Sequence, residues 1–276
     1  VMCSEGVGEQ GIFDPMPRED GCFVLRGGEG PARFTADPSH TSLPLLRREF
    51  AVGEGLAKAR LYVTARGIYQ GELNGRALGN VSFTGMEDWL NPGAAQFDKH
   101  LYYQTYDVTG MLRAGKNAMG FALAPGWWNE SQTFTMLNYN YWGDRQSLMC
   151  RLELTYRDGS VEAVCSGTEG WQWFDRGPTL FAGLFYGEHR DERLAAAVKG
   201  FSCPGYDAAG WRTPQVIEPT VYEDSGIPGP LGKMWPAPNR TKPVLVGQSG
   251  RPVRAVKTLT AQSVQEPKPG VYVYDM

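Results

Sequence analysis

Apolar residues recur along the chain with a period of two. Leu61 and Val63 alternate with Tyr62 and Thr64, and a second run spans Ile68 to Leu73. That run leads into Asn74-Gly75, two residues that accept φ > 0 as a type I′ hairpin turn requires. Ala77, Leu78 and Val81 are placed to form the return strand. Further strands are predicted over Tyr102–Val108, over Asn117–Leu123 with Met119, Phe121 and Leu123 on one face, and from about Leu180 to Glu188. Asp107 and Thr109 are candidate caps for one short turn at Gly110–Leu112. Another hairpin puts Leu148, Cys150, Leu152, Leu154 and Tyr156 on one face and turns at Asp158-Gly159. A two-residue loop there sets Arg157 opposite Ser160, Leu152 opposite Cys165, and both Cys150 and Cys165 on the inner face. Only Asp191–Ala197 has helical leaning. Alternation returns over 251–262 and again in Val271–Asp275.

Many short strands with a turn about every ~10 residues predict an all-β antiparallel sandwich of the jelly-roll or galactose-binding-like kind, with flanking strands from a second, incomplete β-domain. Three parts are expected: 1–45 as flanking strands and loops, 46–213 as the sandwich, and 214–276 as a Pro-rich strap leading into a second sandwich. Pro219, Pro228, Pro230, Pro236, Pro238 and Pro243 mark the strap, since Pro cannot donate to a central ladder. The chain opens Val-Met-Cys and stops on a strand, so it is expected to be a piece of a longer polypeptide.

Composition sharpens this. Gly (35) and Pro (19) are too dense among 276 residues for long helices. Lys and Arg (27) nearly balance Asp and Glu (30), which leaves no electrostatic footprint for nucleic acid. No apolar run is long enough to span a membrane as a helix. Five cysteines without a CxxC pair argue against a zinc site or a disulfide framework, and Cys150 and Cys165 are expected as buried small hydrophobes.

There is no GxSxG, no P-loop and no GxGxxG following a strand. His40, His100 and His189 are isolated and expected to be structural. Glu188, Asp191 and Glu192 invite comparison with a glycosidase pair. Interleaved Arg190 and Arg193 would hold those carboxyls ionised, so Glu188, Arg190, Asp191 and Arg193 are expected as a structural charge cluster. Sugar sites pair a flat aromatic face with a few polar groups. On that basis Trp89, Trp127, Trp128, Asn129, Tyr139, Tyr141 and Trp142 are the candidate carbohydrate contacts, with packing of the sandwich end as the competing role.

In order along the chain, Leu46-Arg-Arg-Glu-Phe50, Ala59–Gly67, Tyr69 to Asn74-Gly75, Tyr103–Thr109, Gly126-Trp127-Trp128, and Tyr186-Gly-Glu188 with Asp191, Arg193 and Gly210-Trp211 resemble the N-terminal β-sandwich region of bacterial α-L-rhamnosidases, glycoside hydrolase family 78. The resemblance implies a non-catalytic part of an enzyme that hydrolyses terminal α-L-rhamnosides with inversion, its catalytic carboxylates lying on an (α/α)6 barrel of the same polypeptide. The implied partners are that barrel and a rhamnose-containing glycan, without nucleic acid or a membrane span. It further implies secretion, or a periplasmic or cell-surface location. A stand-alone carbohydrate-binding module and a purely structural or interaction domain are the alternatives. No cofactor is expected apart from Ca²⁺, which some members bind through an Asp-Asn pair ahead of the first hairpin. Here Ala65-Arg66 stands in that place, and Gly85-Met-Glu-Asp-Trp89 replaces the family's G-W-T-D-Y loop.

Overall fold

A computed structural model describes residues 2–3, 43–79, 88–129, 142, 146–184, 187–217, 221–222, 240–250, 253, 257 and 259–276. Its strands in chain order are β1 (Met2–Cys3), β2 (Leu45–Val52), β3 (Leu56–Arg66), β4 (Ile68–Leu73), β5 (Arg76–Ala77), β6 (His100–Asp107), β7 (Gly115–Ala124), β8 (Ser147–Tyr156) and β9 (Val161–Cys165). They continue as β10 (Trp171–Phe174), β11 (Thr179–Gly183), β12 (Gly187–Arg190), β13 (Gln215–Val216), β14 (Val221–Tyr222), β15 (Arg240–Thr241), β16 (Val244–Gly247), β17 (Ser263–Lys268) and β18 (Val271–Asp275). Among the described residues no helix is long and apolar enough to cross a membrane.

Two sheets carry the fold. One runs β13-β1-β8-β3-β6-β16, with β9 also paired to β8; the other runs β10-β2-β7-β4-β5. Every pairing in these two sheets is antiparallel except β16 on β6. The period-2 pattern explains the core. Leu61 and Val63 of β3, and Leu148, Leu152 and Leu154 of β8, meet Leu46 of β2, Leu73 of β4, Met119, Phe121 and Leu123 of β7, and Trp171 and Trp173 of β10 in one buried cluster. The facing positions of β7 are small because another segment crosses there: a Cβ at Gly120 would sit 2.6 Å from the Phe201 ring.

The Asn74-Gly75 hairpin forms as expected, with both residues at positive φ and Leu73 opposite Arg76. Its return strand is shorter than expected, Arg76–Ala77, with Leu78 buried beyond it and Val81 outside the described residues. Asn is chosen there for its side chain as well: its Nδ2 donates to Met111 O and its Oδ1 accepts from Ala118 N, tying the turn to β7. The short turn is 3₁₀ over Thr109–Met111. Its N-cap residue is Val108, while Asp107 Oδ1 accepts from the Thr109 amide and hydroxyl.

The β8–β9 hairpin differs from expectation by one residue. Tyr156 N donates to Ser160 O, which leaves a three-residue loop with Gly159 at φ 86°. Arg151 therefore lies opposite Cys165, and Leu152 opposite Val164. A one-residue slip exchanges the two faces of a strand. Cys150 is buried, Cys165 is exposed, and Val164 packs on the core in its place. Two other expectations are corrected. The strand foreseen from Leu180 to Glu188 is a hairpin, β11–β12, and the helical stretch is 3₁₀ over Glu192–Val198. Within the alternating stretch 251–262, Val253 bridges Trp89, while 251, 252, 254–256 and 258 lie outside the described residues. The final strand pairs with β17 in a hairpin exposed on both faces.

Candidate functional site

Trp89 bridges Val253 through the backbone and leaves 43% of its surface exposed. It lies on the rim of a cavity of about 330 Å³ lined also by Tyr69, Gln70, Asp88, Leu90 and Glu188. The fold thus brings together two features that are about 100 residues apart in sequence, the Asp88-Trp89 loop and the start of β12. The backbone at this rim is unusual: Leu90 sits at φ 61°, a conformation L side chains seldom adopt.

A buried chain of hydrogen bonds fixes the loop from behind. Asn91 Nδ2 donates to Tyr106 Oη (3.1 Å), Tyr106 meets Tyr69 at 2.9 Å, and Tyr69 Oη donates to Gln104 Oε1 (2.7 Å). With the Tyr69 proton so used, Tyr106 is the donor to Tyr69. Gln104 Nε2 then donates to Pro92 O and to Gln248 Oε1. Burial, with Tyr106 beside it, pushes the Tyr69 phenol well above its ordinary value, so it remains a donor. Chains of this kind, fully satisfied, hold a unique geometry.

The other aromatic candidates divide. Trp128 and Trp142 are buried around Phe97, with Trp127 packed against them. The Phe97 ring meets Trp128 edge-on at 5.2 Å and Trp142 at 5.9 Å. Asn129 ends the helical turn Gly126–Asn129, and Tyr139 and Tyr141 lie outside the described residues. Arg66 sets its guanidinium 5.0 Å from the Trp128 ring centre. Ala65-Arg66 therefore brings a positive charge and no side-chain oxygen to the place where the resemblance puts calcium ligands, so these residues do not fit that ion. Among the described residues no group of three or more His, Cys, Asp and Glu is gathered as a metal site.

In the charged run, Arg190 pairs with Glu188 (3.3 Å) and with Glu192 (2.8 Å), and Arg193 pairs with Asp191. Hydrogen bonding from Arg193 holds the Asp191 carboxyl below its ordinary range, the opposite of what a general acid needs. His100 stacks edge-on with Tyr102 and His189 lies against Phe181, while His40 is outside the described residues. Sequence reasoning passed over Tyr69, Gln104, Tyr106 and Asn91. The available signal was Gln104, an amide on the inward face of a strand between aromatic neighbours, which demands buried partners.

Fold and rim together define an antiparallel β-sandwich module with an aromatic, carboxylate-bearing cavity at its edge. Residues 54–257 match the family described as Alpha-L-rhamnosidase N-terminal domain, and the chain belongs to that family. A curated α-L-rhamnosidase of Streptomyces avermitilis is 35% identical over 250 residues, covering 90% of this chain and 21% of that protein. One from an Alteromonas species is 30% identical over 251 residues, covering 90% and 24%. Among solved structures, the S. avermitilis enzyme complexed with L-rhamnose superposes with a TM-score of 0.66 at 35% identity, over 86% of this chain and 20% of that one. Native α-L-rhamnosidase from Aspergillus terreus gives 0.68 at 27% identity, over 87% and 24%. The chain thus spans between a fifth and a quarter of the length of these relatives.

Proposed function

We propose that this chain is a non-catalytic β-sandwich part of an α-L-rhamnosidase-like glycoside hydrolase. It supports the catalytic (α/α)6 barrel of the same polypeptide and contacts a rhamnose-containing glycan through the Trp89 cavity. The parent reaction is inverting hydrolysis of terminal α-L-rhamnosides at the cell surface, in the periplasm or outside the cell. In this reading 46–213 is the sandwich, with 1–45 and 214–276 as flanking elements. The observation that carries the sugar contact is the partly exposed Trp89 lining a cavity together with Asp88 and Glu188. An indole face takes the C–H surface of a pyranose while carboxylates accept from its hydroxyls. That one relative was crystallised with L-rhamnose is in keeping with the choice of sugar.

Calorimetric titration with L-rhamnose tests the contact. Saturable heat that Trp89→Ala abolishes is expected, whereas Trp128→Ala should lower the Tm instead, its ring being buried. The chain should leave an aryl α-L-rhamnoside intact; turnover would overturn the non-catalytic assignment. A second reading, a brace without ligand, is favoured by the buried Phe97-Trp128-Trp142 cluster, and silence across sugars would select it.

A further inference from the structure

A second cavity, about 430 Å³, adjoins the first and shares Asp88 and Tyr106 with it. Its origin lies in the sheet. On one side β6 pairs with β3 as far as Asp107; on the other, β16 stops at Gly247, opposite Tyr103. The outer edge of β6 from Gln104 to Asp107 therefore has no strand against it among the described residues. Lys99 O and Tyr103 O accept from Val244 N and Gln248 N, which places the odd-numbered residues' backbone groups on the β16 side. Two residues further, the Thr105 N–H and C=O point to the bare edge.

Side chains make this edge a polar recess. Gln104 Nε2 holds the Gln248 side-chain oxygen at 2.9 Å, and Gln248 lines the cavity. The Tyr103 ring stands over Gly247, where a Cβ would reach its hydroxyl at 3.4 Å. Asp107, held ionised by the Thr109 hydroxyl and amide, supplies an acceptor at the far end. An aromatic ring, an amide side chain and carboxylates line it (Tyr103, Gln248, Asp88 and Asp107), as Trp89, Gln70, Asp88 and Glu188 line the cavity on the other side of Asp88.

We propose that this recess is a second sugar subsite, continuous with the first around Asp88, so that the module takes a glycan of at least two residues rather than a single terminal sugar. The proposal rests on the carbohydrate reading above. Gln104 belongs to the chain of hydrogen bonds behind Trp89 and reaches Gln248 directly, so one buried network positions both subsites.

The test is titration of the chain with L-rhamnose and with two rhamnosyl-glucose disaccharides, rutinose and neohesperidose. At least one disaccharide is expected to bind about tenfold tighter than L-rhamnose. Tyr103→Ala, which removes the aromatic face and makes no change to Gln104 or Gln248, should remove that gain and leave the L-rhamnose Kd unchanged. Gly247→Leu, which fills the recess without touching Gln104, should do the same, with unaltered Tm as the check on folding. Disaccharides binding no tighter than L-rhamnose would overturn the second subsite alone. No binding of any of the three sugars would overturn the carbohydrate reading beneath it.

Discussion

Gly67 joins β3 to β4 at φ 111°, and a Cβ there would overlap the Ala124 carbonyl oxygen, a backbone atom that cannot move aside. Gly55, at φ 77°, has open space around it. Gly67→Ala is therefore expected to cost roughly 2–3 kcal/mol and Gly55→Ala about 1 kcal/mol, measured by urea unfolding. Thiol chemistry divides as sharply. Burial pushes the Cys150 thiol up to about 12, while Cys165 is exposed. Alkylation at pH 8 should label Cys165 within the folded chain and reach Cys150 only under denaturant, as read by peptide mass mapping. The pattern of apolar positions marked both Cys150 and Cys165 as inward; Cys150 is, and Cys165 is not, because one extra loop residue reverses a face. In the polar network, Gln104→Ala would leave the buried Tyr69 hydroxyl without its acceptor, an expected loss of about 1–3 kcal/mol.

At the scale of elements, the β11–β12 hairpin and the 3₁₀ turn after it are fastened by charge. Asp191 caps the turn by accepting from Arg193 N and pairs with the Arg193 side chain, which lowers its pKa. A carboxyl depressed in the folded state adds stability above its unfolded value near ~3.9, and that stability is lost as pH falls through the folded value. The contribution is thus present at neutral pH and disappears in acid. Asp191→Asn should flatten the fall of Tm with pH below about pH 4, followed by circular dichroism. The alternation of Leu148–Tyr156 and the Asn74-Gly75 dipeptide made β8 and the β4–β5 turn legible, since side-chain period and positive φ are local properties. The break of 180–188 into two strands was not, because Gly183 and Gly187 read equally as strand interior or turn until pairing decides.

For the whole molecule, two packed sheets build the core, and what is left at their rim is where a ligand finds room. Trp89 stays half-exposed, whereas Trp128 is sealed between Phe97 and Arg66. Trp89→Ala should consequently remove sugar binding with little change in Tm, and Phe121→Ala at the centre of the core should lower stability by about 3–5 kcal/mol. Paired titration and thermal melts on the two variants check both.

The amino-acid sequence by itself determined the fold class, most strand positions and the family, because alternation, turn chemistry and ordered short motifs are all written along one chain. Only the tertiary structure decided which aromatic rings face outward, which cysteine is inside, and that Asp88, Trp89 and Glu188 share one cavity. Those properties depend on register and on which distant strands become neighbours. Register turns on a single loop residue, and neighbourhood on packing across both sheets, so neither is carried by any local stretch.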